Sequence, residues 1–179
     1  GTESIAKAAQ LLSTAKFPVI LNGAGVVLAA GGIEASRVLA EKLDAPVCVG
    51  YQHNDAFPGN HPLFAGPLGY NGSKAGMELI SKADVVLALG TRLNPFSTLP
   101  GYGIDYWPTD AKIIQVDINP DRIGLTKKVT VGIVGDSAKV ATAISAKLTD
   151  TAGDAGRKDR KAMIAQTKSA WAQELTSMT

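Results

Sequence analysis

Apolar residues along this chain fall into short unbroken blocks, and between the blocks they recur every three or four positions. The blocks FPVILN at 17–22, PVCVG at 46–50, ADVVLALG at 83–90, KIIQVD at 112–117 and VTVGIV at 129–134 are strand length. A continuous apolar run bounded by a charge or a glycine suits a strand buried on both faces of a parallel sheet. Helical spacing appears at Ile5, Ala8, Ala9 and Leu12 behind Ser4, and at Ile33, Val38, Leu39 and Leu43 behind Gly32. It returns at Ala75, Met77, Leu79 and Ile80 behind Ser73, and at Val140, Ile144 and Leu148 behind Asp136. Ser4, Ser73 and Asp136 are residue types that cap a helix by accepting a hydrogen bond from an amide of its first turn.

Strands alternating with helices predict a doubly wound α/β fold: a mostly parallel sheet of about six strands with helices on both faces, in a Rossmann-like nucleotide-binding topology. The crossover helix after 17–22 makes the strand at 46–50 parallel to the first, and the strand ending at Leu89 is expected beside the first. In such sheets ligands sit beyond the carboxyl ends of the strands, which places Gly90, Thr91 and Arg92 at the mouth of any site.

Two stretches break the pattern. Residues 51–72 and 94–109 are rich in Gly, Pro and Asn and read as irregular. Phe57, Leu63, Phe64, Leu68 and Tyr70 are more large apolar side chains than such a loop can bury, so part of them is expected to face a partner. Composition divides the chain into a domain at 1–148, a linker TDTAGDAG at 149–156, and a C-terminal helix at 157–179 that leads to a missing domain. Trp171 on that helix is either an interface anchor or part of the chain's own core.

Hydrophobic residues make up 45% and charged residues 19%, ordinary values for a soluble globular protein. A net charge of +2 and 6% aromatic residues supply neither a basic stripe nor a stacking platform, so nucleic acid is not expected as a partner, and no apolar run is long enough for a membrane. Cys48 lies in an apolar segment and reads as a buried small hydrophobe; a lone cysteine permits no internal disulfide and agrees with a cytoplasmic location. Gly1-Thr2, followed at once by a polar helix start, does not read as a signal peptide and is expected to be a cut boundary.

The candidate chemistry is a partial nucleotide site. Gly23-Ala-Gly25 follows the first strand as in a dinucleotide fingerprint, but the third glycine is absent and the next helix is expected only near Gly32. A tight turn with no ligand explains it equally. Asp117 could bond a ribose hydroxyl or satisfy its own Asn119-Pro120 turn. Arg92 suits a phosphate, or a salt bridge to Asp55 or Asp105. His53 and His61 flank Asp55 with no standard zinc spacing, so no metal site is expected. No serine elbow or cysteine–histidine pair is present, and Gly135-Asp-Ser137 lacks the downstream asparagine of a magnesium-diphosphate site; no catalytic residue is assigned.

HPLFAG at 61–66, GYNG at 69–72, ADVVLALGTR at 83–92, KIIQVDIN at 112–119 and VGD at 134–136 together resemble the central domain of thiamine diphosphate-dependent enzymes of the acetohydroxyacid synthase and pyruvate oxidase group. The resemblance covers about 4–148. Residues 101–136 are similar to the acetyltransferase branch, whose members turn sulfoacetaldehyde and phosphate into acetyl phosphate and sulfite. It implies a parent enzyme in which flanking domains bind the pyrimidine and, through magnesium, the diphosphate of thiamine diphosphate, with this domain as a non-catalytic scaffold in a homo-oligomer. Some relatives hold FAD or an adenosine nucleotide in this domain. Here Asn94-Pro-Phe96 stands in place of the acidic residues of the FAD-binding members, which argues against FAD and leaves an ADP-like ligand near Gly23, Gly90 and Asp117 as the alternative, an independent or regulatory nucleotide module. A sirtuin-like deacylase shares the sheet architecture but needs a zinc-binding cysteine set that one cysteine cannot supply.

Overall fold

The structure, a computed structural model, describes residues 1–50, 53–69, 72–93, 102 and 105–178. Its elements in chain order are α1 (Thr2–Thr14), β1 (Pro18–Asn22), α2 (Ala24–Leu28), α3 (Gly32–Leu43), β2 (Val47–Val49), β3 (Phe64–Pro67), α4 (Lys74–Ile80), β4 (Val85–Leu89), β5 (Lys112–Asp117), β6 (Val131–Val134), α5 (Ser137–Lys147) and α6 (Arg157–Ser177). Short 3-10 turns stand at Asn54–Ala56 and Pro120–Arg122.

All six strands form one parallel sheet in the order β3-β2-β1-β4-β5-β6. This is the doubly wound order, with its reversal between β1 and β4, as the buried runs lead one to expect. Every residue of β1 and β4 is buried, so helices must cover both faces. α3 and α5 pack together on one face, and α1 lies against α5 and β6. α4 returns the chain from β3 to β4, and right-handed crossovers put it on the opposite face.

Ser73 and Asp136 cap α4 and α5 as expected, accepting hydrogen bonds from the amides of Gly76 and Lys139. Ser4 does not cap α1: the helix begins at Thr2 with Gly1 at its cap position, so Ser4 lies inside the first turn.

The stretch after Tyr51 is more ordered than its composition suggests. It contains β3, whose register against β2 shifts between Val47 and Cys48, and the 3-10 turn bears Ala56 into the core. Phe57, Leu63 and Leu68 are buried and Phe64 is half-buried, which corrects the expectation that they form a sticky surface. Tyr70 lies outside the described residues. Ser73 Oγ donates to Ala65 O within β3 at 3.1 Å, and Lys168 Nζ on α6 donates to Pro62 O just before the strand at 3.0 Å.

Residues 149–156 pack down rather than dangle. Ala152 and Gly153 are buried, and the Gly153 amide donates to Ser13 O at 3.0 Å. Their anchor is Arg160, 1% exposed. Its Nε donates to Asp44 O, one terminal nitrogen to Lys16 O and Ala155 O, and the other to Leu43 O and Gly153 O, at 2.6–3.0 Å. All five N–H donors are thereby used on main-chain carbonyls. Burial holds this guanidinium below its ordinary pKa. α6 then runs along α4, with Lys74 Nζ on both carboxylate oxygens of Glu174, and Trp171 set edge-on to Tyr102 at 5.4 Å.

Candidate functional site

β1, β4, β5 and β6 end level with one another: Asn22 pairs with Leu89, Leu89 with Val116 and Asp117 with Val134. The loops that follow converge at the switch point, where such sheets bind ligands. A cleft of about 150 Å³ opens there, lined by Gly25, Leu28, Gly90, Asp117, Ile118 and Ser137 among others.

The glycines meet each other. The Gly23 amide donates to Leu89 O and the Gly25 amide to Gly90 O, both at 2.9 Å. A Cβ on Gly23 would stand 2.6 Å from Thr91 Cβ, and one on Gly25 would stand 2.6 Å from Gly90 Cα. Gly90 has φ +63°, where a side chain is strained, and a Cβ there would reach 2.5 Å from Gly25 Cα. The amides and the side-chain-free surfaces that a dinucleotide fingerprint offers to a pyrophosphate are used here to press the β1 loop against the β4 loop. The expected helix does begin at Gly32, as α3, but a short helix the sequence reading lacks, α2, starts directly after Gly23; AGVVL is one turn-and-a-half whose apolar content hides its period.

Thr91 is turned inward: its Oγ1 accepts from the amide of Leu93, a buried residue at φ +58°. Thr91 O accepts from Gln115 Nε2 at 3.1 Å. Gln115, 1% exposed, also donates to Arg122 O and accepts from the Gly124 amide. This buried amide, which the apolar run of β5 conceals, fixes the β4 and β5 loops relative to each other. Asn22 does the same between β1, α3 and the 3-10 turn, donating to Ser36 Oγ at 2.7 Å and Ala56 O at 3.0 Å.

Asp117 is 4% exposed and lines the cleft, and its Oδ1 accepts from the Asn119 amide at 2.8 Å. The carboxylate thus satisfies its own turn, which Asn119 extends by accepting from Asp121 N. Arg92 is exposed, makes no ion pair with Asp55 or Asp105, and is not part of the cleft wall. The charged groups in the cleft wall are Asp117, Asp136 and Arg122, a balance that does not favour a phosphate. Asn94, Pro95 and Phe96 lie outside the described residues.

His61 is engaged elsewhere. Its Nδ1 accepts from the Leu63 amide at 3.0 Å, Nε2 lies 3.1 Å from Glu41 Oε1, and its ring meets Phe57 edge-on. That contact and Arg37 hold the Glu41 carboxyl below its ordinary pKa. Among the described residues no group of three His, Cys, Asp or Glu is arranged to hold a metal ion. Cys48 is fully buried, and burial pushes its thiol up to about 12, which removes it as a nucleophile.

Comparison with known proteins gives this arrangement its context. Residues 5–144 match the family model described as thiamine pyrophosphate enzyme, central domain. The chain is 80% identical over 178 residues to a sulfoacetaldehyde acetyltransferase of Roseovarius nubinhibens, covering 99% of this chain and 29% of that protein. It is 35% identical over 136 residues to the acetolactate synthase large subunit of Corynebacterium glutamicum, covering 76% of this chain and 21% of that protein. A solved structure from Mycobacterium smegmatis, described as a candidate thiamin diphosphate-dependent enzyme, aligns with a TM-score of 0.66 at 30% identity, over 83% of this chain and 28% of that one. The chain spans about 30% of the length of the curated relatives it matches first.

Proposed function

Because the chain belongs to the central domains of thiamine pyrophosphate enzymes, we propose that it is the non-catalytic scaffold of a thiamine diphosphate-dependent sulfoacetaldehyde acetyltransferase. The observation that carries the substrate is the identity of 80% to an acetyltransferase against 35% to an acetolactate synthase. In this reading the parent converts sulfoacetaldehyde and phosphate to acetyl phosphate and sulfite in the cytoplasm, as a homo-oligomer. Flanking domains hold thiamine diphosphate and magnesium, and the cofactor supplies the carbanion chemistry. This domain keeps its loops rigid beside them.

The rival, a nucleotide module using Gly23, Gly25, Gly90, Thr91, Arg92 and Asp117 for an ADP-like ligand, has less support. The two glycine amides are spent within the chain, and the cleft of about 150 Å³ is below the roughly 300–1,000 Å³ of small-molecule pockets. The test of the substrate is an assay of the full-length polypeptide with thiamine diphosphate, magnesium and phosphate. Equal amounts of sulfite and acetyl phosphate from sulfoacetaldehyde support the reading, and conversion of pyruvate alone refutes it.

A further inference from the structure

α6 and β3 enclose a groove that the described residues leave open. Its cavity of about 290 Å³ is walled by Phe64, Ala65 and Pro67 of β3 on one side and by Trp171, Ala172 and Leu175 of α6 on the other. The polar side chains along it are already occupied: Ser73 Oγ bonds Ala65 O, and Lys168 Nζ bonds His61 O and Pro62 O. What remains is an apolar slot whose volume suits roughly two benzene-sized groups. Of the loop residues expected to face a partner, Phe64 is the described one that is only half-buried, and it lies in this wall. Single exposed hydrophobes need no explanation, but a group gathered around a groove does.

The place where the chain leaves α6 says what covers the groove. Lys168, Trp171, Ala172 and Leu175 recur at helical spacing, and the next position on that stripe is Met178, the last described residue. Leu175 is 44% exposed and Met178 63%, so the apolar face runs to the very end of the helix. The chain spans about 30% of the length of its first relatives, so most of such a polypeptide lies outside it. Sequence preceding Gly1 would enter at the far side: α1 packs on α5 and β6, and β6 stands five strand spacings from β3, roughly 24 Å. A separate molecule is also a poor occupant, since a stable pair buries about 800 Å² on each partner, far more than a slot for two side chains supplies. A tethered segment needs no such area, because a short tether holds it at an effective concentration of about millimolar.

We infer that the polypeptide following Thr179 returns along the last two turns of α6 and seats large apolar side chains in the groove between Phe64 and Leu175. The inference rests on the central-domain reading and specifies the surface through which this domain grips its neighbour. It also gives Trp171 both roles considered for it: it packs edge-on against Tyr102 within the chain and offers a wall to the segment that follows.

The test is photo-cross-linking in the full-length polypeptide, with Leu175→p-benzoylphenylalanine on the α6 wall and, separately, Gly59→p-benzoylphenylalanine on the opposite rim. Leu175 is exposed and a Cβ on Gly59 meets nothing within 4 Å, so both substitutions leave the core intact. The expected result is cross-links from both positions into peptides beyond Thr179, in a product that runs at the mass of a single chain on a denaturing gel. Cross-links only into sequence preceding Gly1 or within residues 1–179, a product of twice the mass that reveals a second copy, or no cross-link at all would overturn it. Acetyl phosphate formation is read on the same samples: an active enzyme without these cross-links refutes the docking alone, and the cross-links in an enzyme indifferent to sulfoacetaldehyde refute the substrate alone.

Discussion

The amide of Gly25 donates to the carbonyl oxygen of Gly90 at 2.9 Å, and neither residue has room for a Cβ against the other's main chain. The two loops at the switch point are therefore locked together. Gly90→Ala should cost about 1–2 kcal/mol for the left-handed conformation and about 1–3 kcal/mol for overpacking. That corresponds to a fall of roughly 5–15 °C in thermal midpoint. Gly59→Ala, where nothing lies within 4 Å, is the control and should melt within a degree or two of the parent. Equal midpoints for the two variants would contradict the lock.

The same contact decides nucleotide affinity. With both glycine amides already bonded, calorimetry of this chain with ADP should show a Kd weaker than about 1 mM, a binding free energy smaller than roughly 4 kcal/mol. Micromolar binding that is lost in Asp117→Ala would restore the nucleotide reading.

Arg160 holds 149–156 and the start of α6 through bonds to neutral carbonyls. Arg160→Leu should cost about 3–5 kcal/mol in urea unfolding, because five carbonyl oxygens lose their donor at once. Arg160→Lys, with three donors on one nitrogen, should recover only part. A loss under about 1 kcal/mol for the leucine variant would show that the packing of α6 suffices without it.

Burial of Cys48 sets an alkaline limit. The thiol titrates near 9.0 when unfolded and near 12 when folded, so the folded state keeps its proton more tightly. The stability from this group is complete below pH 9 and falls as pH rises from 9 towards 12. Cys48→Ala should be less stable at neutral pH yet lose less on going from pH 8 to pH 10. Ellman's reagent at pH 8 should react with Cys48 no faster than the chain unfolds; prompt reaction of the native protein would contradict the burial.

The runs at 17–22, 83–89 and 112–117 were readable because a strand buried on both faces has no polar side to interrupt its pattern. β3 escaped because Phe64-Ala-Gly-Pro67 carries a glycine at φ +111° and a proline, residues that from sequence alone mark a loop, and its pairing skips Ala65 between Phe64 and Gly66. Read as a loop without β3, the same stretch offers no way to bury all of Phe57, Leu63, Phe64, Leu68 and Tyr70, which is why part of that set is expected to face a partner. The glycines of the site were found by their motif, but their use in loop-to-loop contact depends on Gly90, 65 residues away from Gly25 in a different βα unit. Arg160 could not be found at all, since carbonyls from three separate stretches, at Lys16, at Leu43–Asp44 and at Gly153 and Ala155, hold it and a carbonyl leaves no mark on sequence.

The central claim is that this chain supports a reaction it cannot perform. The most direct measurement compares acetyl phosphate formed from sulfoacetaldehyde, phosphate, thiamine diphosphate and magnesium by the 179-residue chain and by the full-length polypeptide at equal molarity. The account predicts turnover by the full-length polypeptide and none by the chain alone. Turnover by the purified chain, or a full-length polypeptide inert towards sulfoacetaldehyde, would contradict it.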